Sequence, residues 1–102
     1  MHPAAKDLVG PAEWFAAIGE ATRLTILRTL ATDEKTVTQL AATCQVEIVN
    51  VSHHLKLLRD AGLVTSVKEG RNVIYSLAGA RTKGTTLEMS HASGLKVSIQ
   101  LS

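Results

Sequence analysis

Aromatic side chains are scarce: Trp14, Phe15 and Tyr75 are 3% of the 102 residues. The core must therefore be built from Leu, Val, Ile and Ala. Cys44 is the one cysteine, which excludes an internal disulfide and fits a reducing compartment. The opening stretch MHPAAKDLVGP has no apolar segment, and no run approaches the roughly 18 apolar residues of a membrane helix. Export and membrane insertion are not expected, and a cytoplasmic location is. Paired catalytic carboxylates, a nucleophile elbow, a Gly-rich phosphate loop and a metal-ligand cluster are all missing from the sequence. An enzyme is therefore not expected, nor is a cofactor or a bound metal.

What is present is the balance of a folded domain: 45% hydrophobic and 20% charged residues. A domain of this size buries a limited fraction of its surface and is marginal alone, so self-association is open from the start. The formal charge of +2 conceals a gradient. From His53 to Lys83 there are six basic residues (Lys56, Arg59, Lys68, Arg71, Arg81, Lys83) and two acids (Asp60, Glu69), a balance of +4. The remainder, with five basic and seven acidic residues, carries −2. Such a stripe is the footprint of a phosphate partner, or, more plainly, a solvated charged face.

Residues 1–10 read as a flexible arm. Pro11 suits a first helical turn, and Ala12–Ile18 is apolar on nearly all sides, which calls for burial. Gly19 ends this helix. Glu20–Ala31 brings Leu24, Leu27, Leu30 and Ala31 to helical spacing. A short third helix opens at Thr36 or Val37 and runs through Thr43. After a break at Cys44–Val46 comes the longest helical pattern, about Glu47–Ala61, with Val51, Leu55 and Leu58 as its core stripe. Gly62 caps it. Leu63–Val67 and Val73–Leu77 flank Lys68–Asn72 as a β-hairpin with a charged tip. Gly79–Gly84 reads as a polar linker. Thr85–Ser102 alternates with period two around Ala92-Ser93-Gly94 and reads as a second hairpin.

Four helices followed by a charged hairpin is the order of a winged helix-turn-helix, an α+β fold that is mainly α. It divides the chain into an arm (1–10), a winged domain (11–78) and a C-terminal hairpin (79–102) in place of a last helix. In such folds the longer helix of the pair offers its solvent face to the major groove. With Val51 at the centre of the buried stripe, 100° per residue turns Val49, Ser52, His53, Lys56 and Asp60 outward. Ser52 and His53 suit base edges or phosphates, and Lys56 a phosphate. Asn50 at the flank suits adenine, and Val49 a thymine methyl. Gln39 on the third helix joins this set, as do Lys68, Arg71 and Asn72 of the wing, set over backbone or minor groove. His54 falls nearer the core.

Three stretches then resemble one family. Glu20-Ala21-Thr22-Arg23-Leu24-Thr25-Ile26-Leu27 resembles the opening "DPTRLRIL" of ArsR/SmtB-type bacterial repressors. Residues 51–64, VSHHLKLLRDAGLV, are similar to their recognition helix. Glu69-Gly70-Arg71-Asn72-Val73-Ile74-Tyr75 looks like their wing. The resemblance spans about Ala12 to Leu77. It implies a homodimer that reads an inverted repeat in double-stranded DNA, and repression relieved by an effector, here unknown. The interface expected for that dimer is Trp14, Phe15 and Ile18 of the first helix with Leu87, Met89, Val97 and Ile99 of the terminal hairpin.

Departures from the family matter as well. Members that sense metal through the third helix carry Cys-x-Cys, where this chain has Thr36 and Thr38. Hydroxyls do not replace thiolates for soft metals. Another family sensor needs a long C-terminal helix, and the tail here has strand periodicity and a single histidine, His91. Cys44 reads as a small buried hydrophobe, and His91 as a structural or surface histidine. Where family members have an N-cap serine and polar residues, this chain has Glu47-Ile48-Val49. These apolar residues leave a second reading open: a winged-helix protein-interaction module that has lost DNA binding.

Overall fold

Two helix starts in this chain, at Glu20 and Thr36, are set by side chains that satisfy otherwise unpaired backbone donors. The computed structural model describes residues 4–101. After a 3-10 turn at Ala5–Leu8 come α1 (Val9–Ile18) and α2 (Ala21–Leu30). The Glu20 carboxylate caps α2 by accepting from the Arg23 N–H at 2.8 Å. Then follow β1 (Lys35–Thr36), α3 (Val37–Cys44) and α4 (Ile48–Asp60). β2 (Val64–Glu69) and β3 (Asn72–Leu77) form the wing, followed by β4 (Ala80–Lys83), β5 (Thr86–Ser90) and β6 (Lys96–Gln100). The fold is a winged helix-turn-helix, mainly α, with two small antiparallel sheets ordered β1-β3-β2 and β4-β5-β6.

Two expectations are corrected here. Of the expected arm, residues 1–3 lie outside the described residues, and Ala5–Gly10 are helical. Pro11 sits in the first turn of α1, as expected, where its missing N–H costs no bond. The stretch 79–84 is not a linker: Ala80–Lys83 pairs with β5, so the C-terminal unit is a three-stranded meander and not a hairpin. Gly79, at φ 61°, makes the tight passage between the sheets. A Cβ there would come within 3.2 Å of the Gly62 carbonyl oxygen, so the second sheet packs closely on the turn that ends α4.

One continuous core joins both sheets to the helices. Ile26 and Leu27 of α2, Leu40 of α3, Val51, Leu55 and Leu58 of α4, Leu63, and Leu87 and Met89 of β5 are all fully buried. Trp14 and Ile18 of α1 lie in the same cluster, and the Trp14 ring meets the His91 ring at 5.5 Å. Four residues expected at a dimer interface (Trp14, Ile18, Leu87, Met89) are therefore interior to the single chain. The apolar periodicity was real, but its partner was this chain's own core. Of the others expected there, Val97 and Ile99 are half-buried and Phe15 is exposed.

Candidate nucleic-acid interface

The α3–α4 unit is built from a cap, a left-handed turn and a buried stripe. Thr36 Oγ1 accepts from the Gln39 N–H at 3.2 Å, and the Gln39 side chain accepts from the Thr36 N–H at 2.9 Å. This reciprocal box fixes the start of α3. Thr36 is also a strand residue, opposite Ile74 of the wing. The third strand, β1, is too short for periodicity to reveal, and it ties α3 to β3. Gln45, at φ 57°, turns the chain out of α3, a conformation that side chains other than Gly and Asn rarely adopt. Val51, Leu55 and Leu58 then seat α4 on the core.

That seating leaves Val49, Ser52, His53, Lys56 and Asp60 exposed, as the helical count expects, and Asn50 at the flank is exposed as well. Lys68 and Asn72 are strand residues, and the tip of the wing narrows to Gly70 and Arg71, with Glu69 opposite Asn72. Gly70, at φ 61°, supplies the left-handed residue that a two-residue hairpin needs. All three expected wing residues are exposed, as is Gln39.

Two members of the set have prior engagements. The Gln39 side chain serves the α3 cap. Lys56 Nζ lies 2.9 Å from Asp60 Oδ2, one turn along α4. Both groups of that pair are exposed, so it is worth only a few tenths of a kcal/mol, and a phosphate can displace it. The charge gradient also divides. Arg81 and Lys83 belong to β4 of the second sheet, and Arg81 pairs with Glu88 at 3.3 Å. The helix and wing keep Lys56, Arg59, Lys68 and Arg71 against Asp60 and Glu69, four minus two, or +2.

At its start α4 has no side-chain cap: Glu47 occupies the N-cap position without a hydrogen bond from it. Ile48 and Val49, 51% and 73% exposed, head the helix as an apolar tip. Glu47→Ser should stabilise the fold by about 1 kcal/mol by supplying the missing acceptor. It also removes a negative charge from the helix start, so affinity for duplex DNA should rise. Urea unfolding and a binding titration on the same variant check both effects.

One residue escaped the sequence reading. Arg23 was visible only as part of a motif, yet it fastens α4 to α1. Its Nε donates to the Ala17 carbonyl at 2.6 Å, and its Nη2 to the Ala16 carbonyl at 3.4 Å. Its Nη1 lies 3.0 Å from Nδ1 of His54 on α4. A guanidinium only donates, so His54 Nδ1 accepts and the imidazole proton sits on Nε2. The Glu20 carboxylate, 3.8 Å from the same nitrogen, is then a neighbour and not an ion-pair partner. An arginine early in a helix with a histidine on its packing partner is the available signal, but no spacing rule connects positions 31 residues apart.

Cys44 is half-buried. Burial, with the Glu20 charge adding to it, pushes its thiol above the usual value, the opposite of what activates a thiolate. Among the described residues no group of three or more His, Cys, Asp and Glu side chains is placed to hold a metal ion. No described helix is long and apolar enough to cross a membrane.

Comparisons with known proteins converge on the same unit. A family model for bacterial regulatory proteins of the arsR family matches residues 20–66. A transcriptional repressor described as an SmtB homolog, from Synechocystis, is 45% identical over 67 residues, 66% of this chain and 51% of that protein. An HTH-type transcriptional regulator of Methanocaldococcus jannaschii is 37% identical over 80 residues, covering 71% of this chain and 82% of the relative. The chain spans about half the length of the first curated relatives it matches. Among solved structures, the homodimeric winged helix-turn-helix DNA-binding domain of a possible ArsR-family regulator from Mycobacterium bovis superposes with a TM-score of 0.68. Identity there is 32%, over 74% of this chain and 69% of that one.

Proposed function

Because the chain belongs to the ArsR family of bacterial regulatory proteins, a family of transcriptional regulators and not of enzymes, we propose that it is a repressor that binds an inverted-repeat operator as a homodimer. The observation that carries this reading is the division of α4. Val51, Leu55 and Leu58 are fully buried, while Ser52, His53 and Lys56, which no core requires, face solvent, as do Lys68, Arg71 and Asn72 of the wing. In this reading α4 lies in the major groove, with Ser52, His53 and Asn50 toward base edges. Lys56, Lys68 and Arg71 meet phosphates. In this reading regulation does not run through a Cys-x-Cys metal site, because Thr36 and Thr38 stand where such members carry cysteines.

A salt titration of duplex binding tests this directly. Three phosphate contacts per protomer, six per dimer, give a slope of log K against log salt of about −5. Arg71→Ala should make that slope shallower by about 2 per dimer and weaken all sequences alike. His53→Ala should instead change which sequences are preferred, by about 1–3 kcal/mol at the base it contacts. A flat salt response would sink the reading. The exposed Ile48 and Val49 favour the second one, a protein-interaction module, which predicts that flat response.

A further inference from the structure

The second sheet has two edges of different character. β4 exposes Arg81 and Lys83 within four residues, the kind of charge that guards an edge against pairing. β6 carries one charge, Lys96, at its first position. The β5–β6 register fixes which backbone groups of β6 point outward. The Leu101 N–H donates to the Thr85 carbonyl and the His91 N–H to the Leu95 carbonyl. Odd-numbered residues of β6 therefore bond β5, and the N–H and C=O groups of Lys96, Ser98 and Gln100 face away from the sheet.

We propose that two copies of this chain join by antiparallel pairing of β6 with β6 about Ser98, making one six-stranded sheet; this rests on the homodimer reading above and names its surface. A two-fold axis through Ser98 sets Ser98 opposite its own copy and Lys96 opposite Gln100 of the second copy. All three outward-facing positions then fall in hydrogen-bonded pairs, giving six new backbone bonds. Lys96 never meets Lys96, whereas the same operation on β4, about its outward-facing Thr82, would set Arg81 opposite Lys83 of the second copy. On the inner face Val97 comes opposite Ile99, both half-buried in the single chain. The N-terminal end of β6 continues into an apolar hollow of about 530 Å³ lined by Leu8, Pro11, Ala12, Phe15, Ser93 and Leu95. Leu8, Val9 and Phe15 are each about half exposed, an apolar rim that a second copy covers when the strands pair. The occupant is a second copy because this strand is complementary to itself in register, side-chain type and charge.

The test uses the full chain. Proline is tolerated on an edge where the N–H points outward, so Ser98→Pro leaves the fold intact while removing both central bonds. Sedimentation should show wild type dimeric and the variant's dimer weakened by at least about tenfold, with an unchanged circular dichroism spectrum. Independently, in a Cys44→Ser background, Ser98→Cys should form a covalent dimer under mild oxidation, because directly opposed hydrogen-bonded residues lie within disulfide reach. Lys83→Cys on the opposite edge should not. A Ser98→Pro protein that dimerises like wild type, or equal cross-linking at both edges, overturns the pairing and leaves the homodimer standing. A monomeric wild type overturns both.

Discussion

Leu87→Ala should cost about 2–5 kcal/mol of folding stability, a large share of what a domain of this size possesses. The side chain is fully buried against the helical core. Its removal leaves a cavity that the flanking strand bonds, Thr82 and Ile99 opposite Leu87, prevent from collapsing. For about 100 residues each kcal/mol moves Tm by about 4–8 °C, so a fall of at least about 10 °C is expected. The experiment also separates two roles for the second sheet. If Leu87 serves the core, the loss of Tm is the same at low and high protein concentration. If Leu87 serves a dimer interface, the loss shrinks as concentration rises, because mass action restores the dimer. The burial requires the first outcome. It also means that truncation at residue 85 would uncover Trp14, whose ring meets His91, rather than simply release monomers.

The same residue marks the boundary of what the sequence could disclose. Helical periodicity located α2, α3 and α4 to within a few residues because Leu, Val and Ile recur where the packing needs them. The 100° count then separated Val51 and Leu55 from Ser52, His53 and Lys56 without any knowledge of a partner. Period two located β5 and β6, yet alternation says only that one face is covered, not by what. Leu87 and Met89 were therefore matched to a second chain when their partner was the first. β4 stayed hidden because Ala80-Arg81-Thr82-Lys83 has no apolar alternation. Its strand bonds come from the backbone, and from its position beside β5. β1 is two residues long and has no pattern to read. At the site, charge marked the helix and wing but also swept in Arg81 and Lys83, because nearness in sequence was taken for nearness in space. The bracing of α4 by Arg23 lies beyond any local rule.

That bracing predicts the second large effect. Arg23→Ala should destabilise the fold by about 2–4 kcal/mol, since it deletes three charge-assisted bonds and strands the His54 nitrogen and the Ala17 carbonyl with no donor. Arg23→Lys should recover less than half of this, because a single ammonium cannot reach three acceptors that the planar fork spans at once. Duplex binding should fall further than stability alone explains at temperatures where the variant is still folded: α4 loses its tie to the end of α1, and its outward residues lose their fixed bearing on the groove. A calorimetric melt beside a binding titration at one temperature separates the two losses. Glu20 supplies a control with the opposite pH signature. Burial pushes its carboxyl up, but the N–H groups of Arg23 and Thr22 and the Arg23 guanidinium outweigh this and hold it below the ordinary value of 4.5. A depressed carboxyl stabilises the fold in full above the unfolded value, and that contribution vanishes as the pH falls through the lowered one. Glu20→Gln should therefore be less stable than wild type near neutral pH, and the gap should close on acidification below 4.5. Arg23→Ala should keep most of its deficit there, because the bonds to Ala16 and Ala17 do not titrate. If the two gaps closed together, the Arg23 contribution would be a charge effect on Glu20 and not a brace on α4.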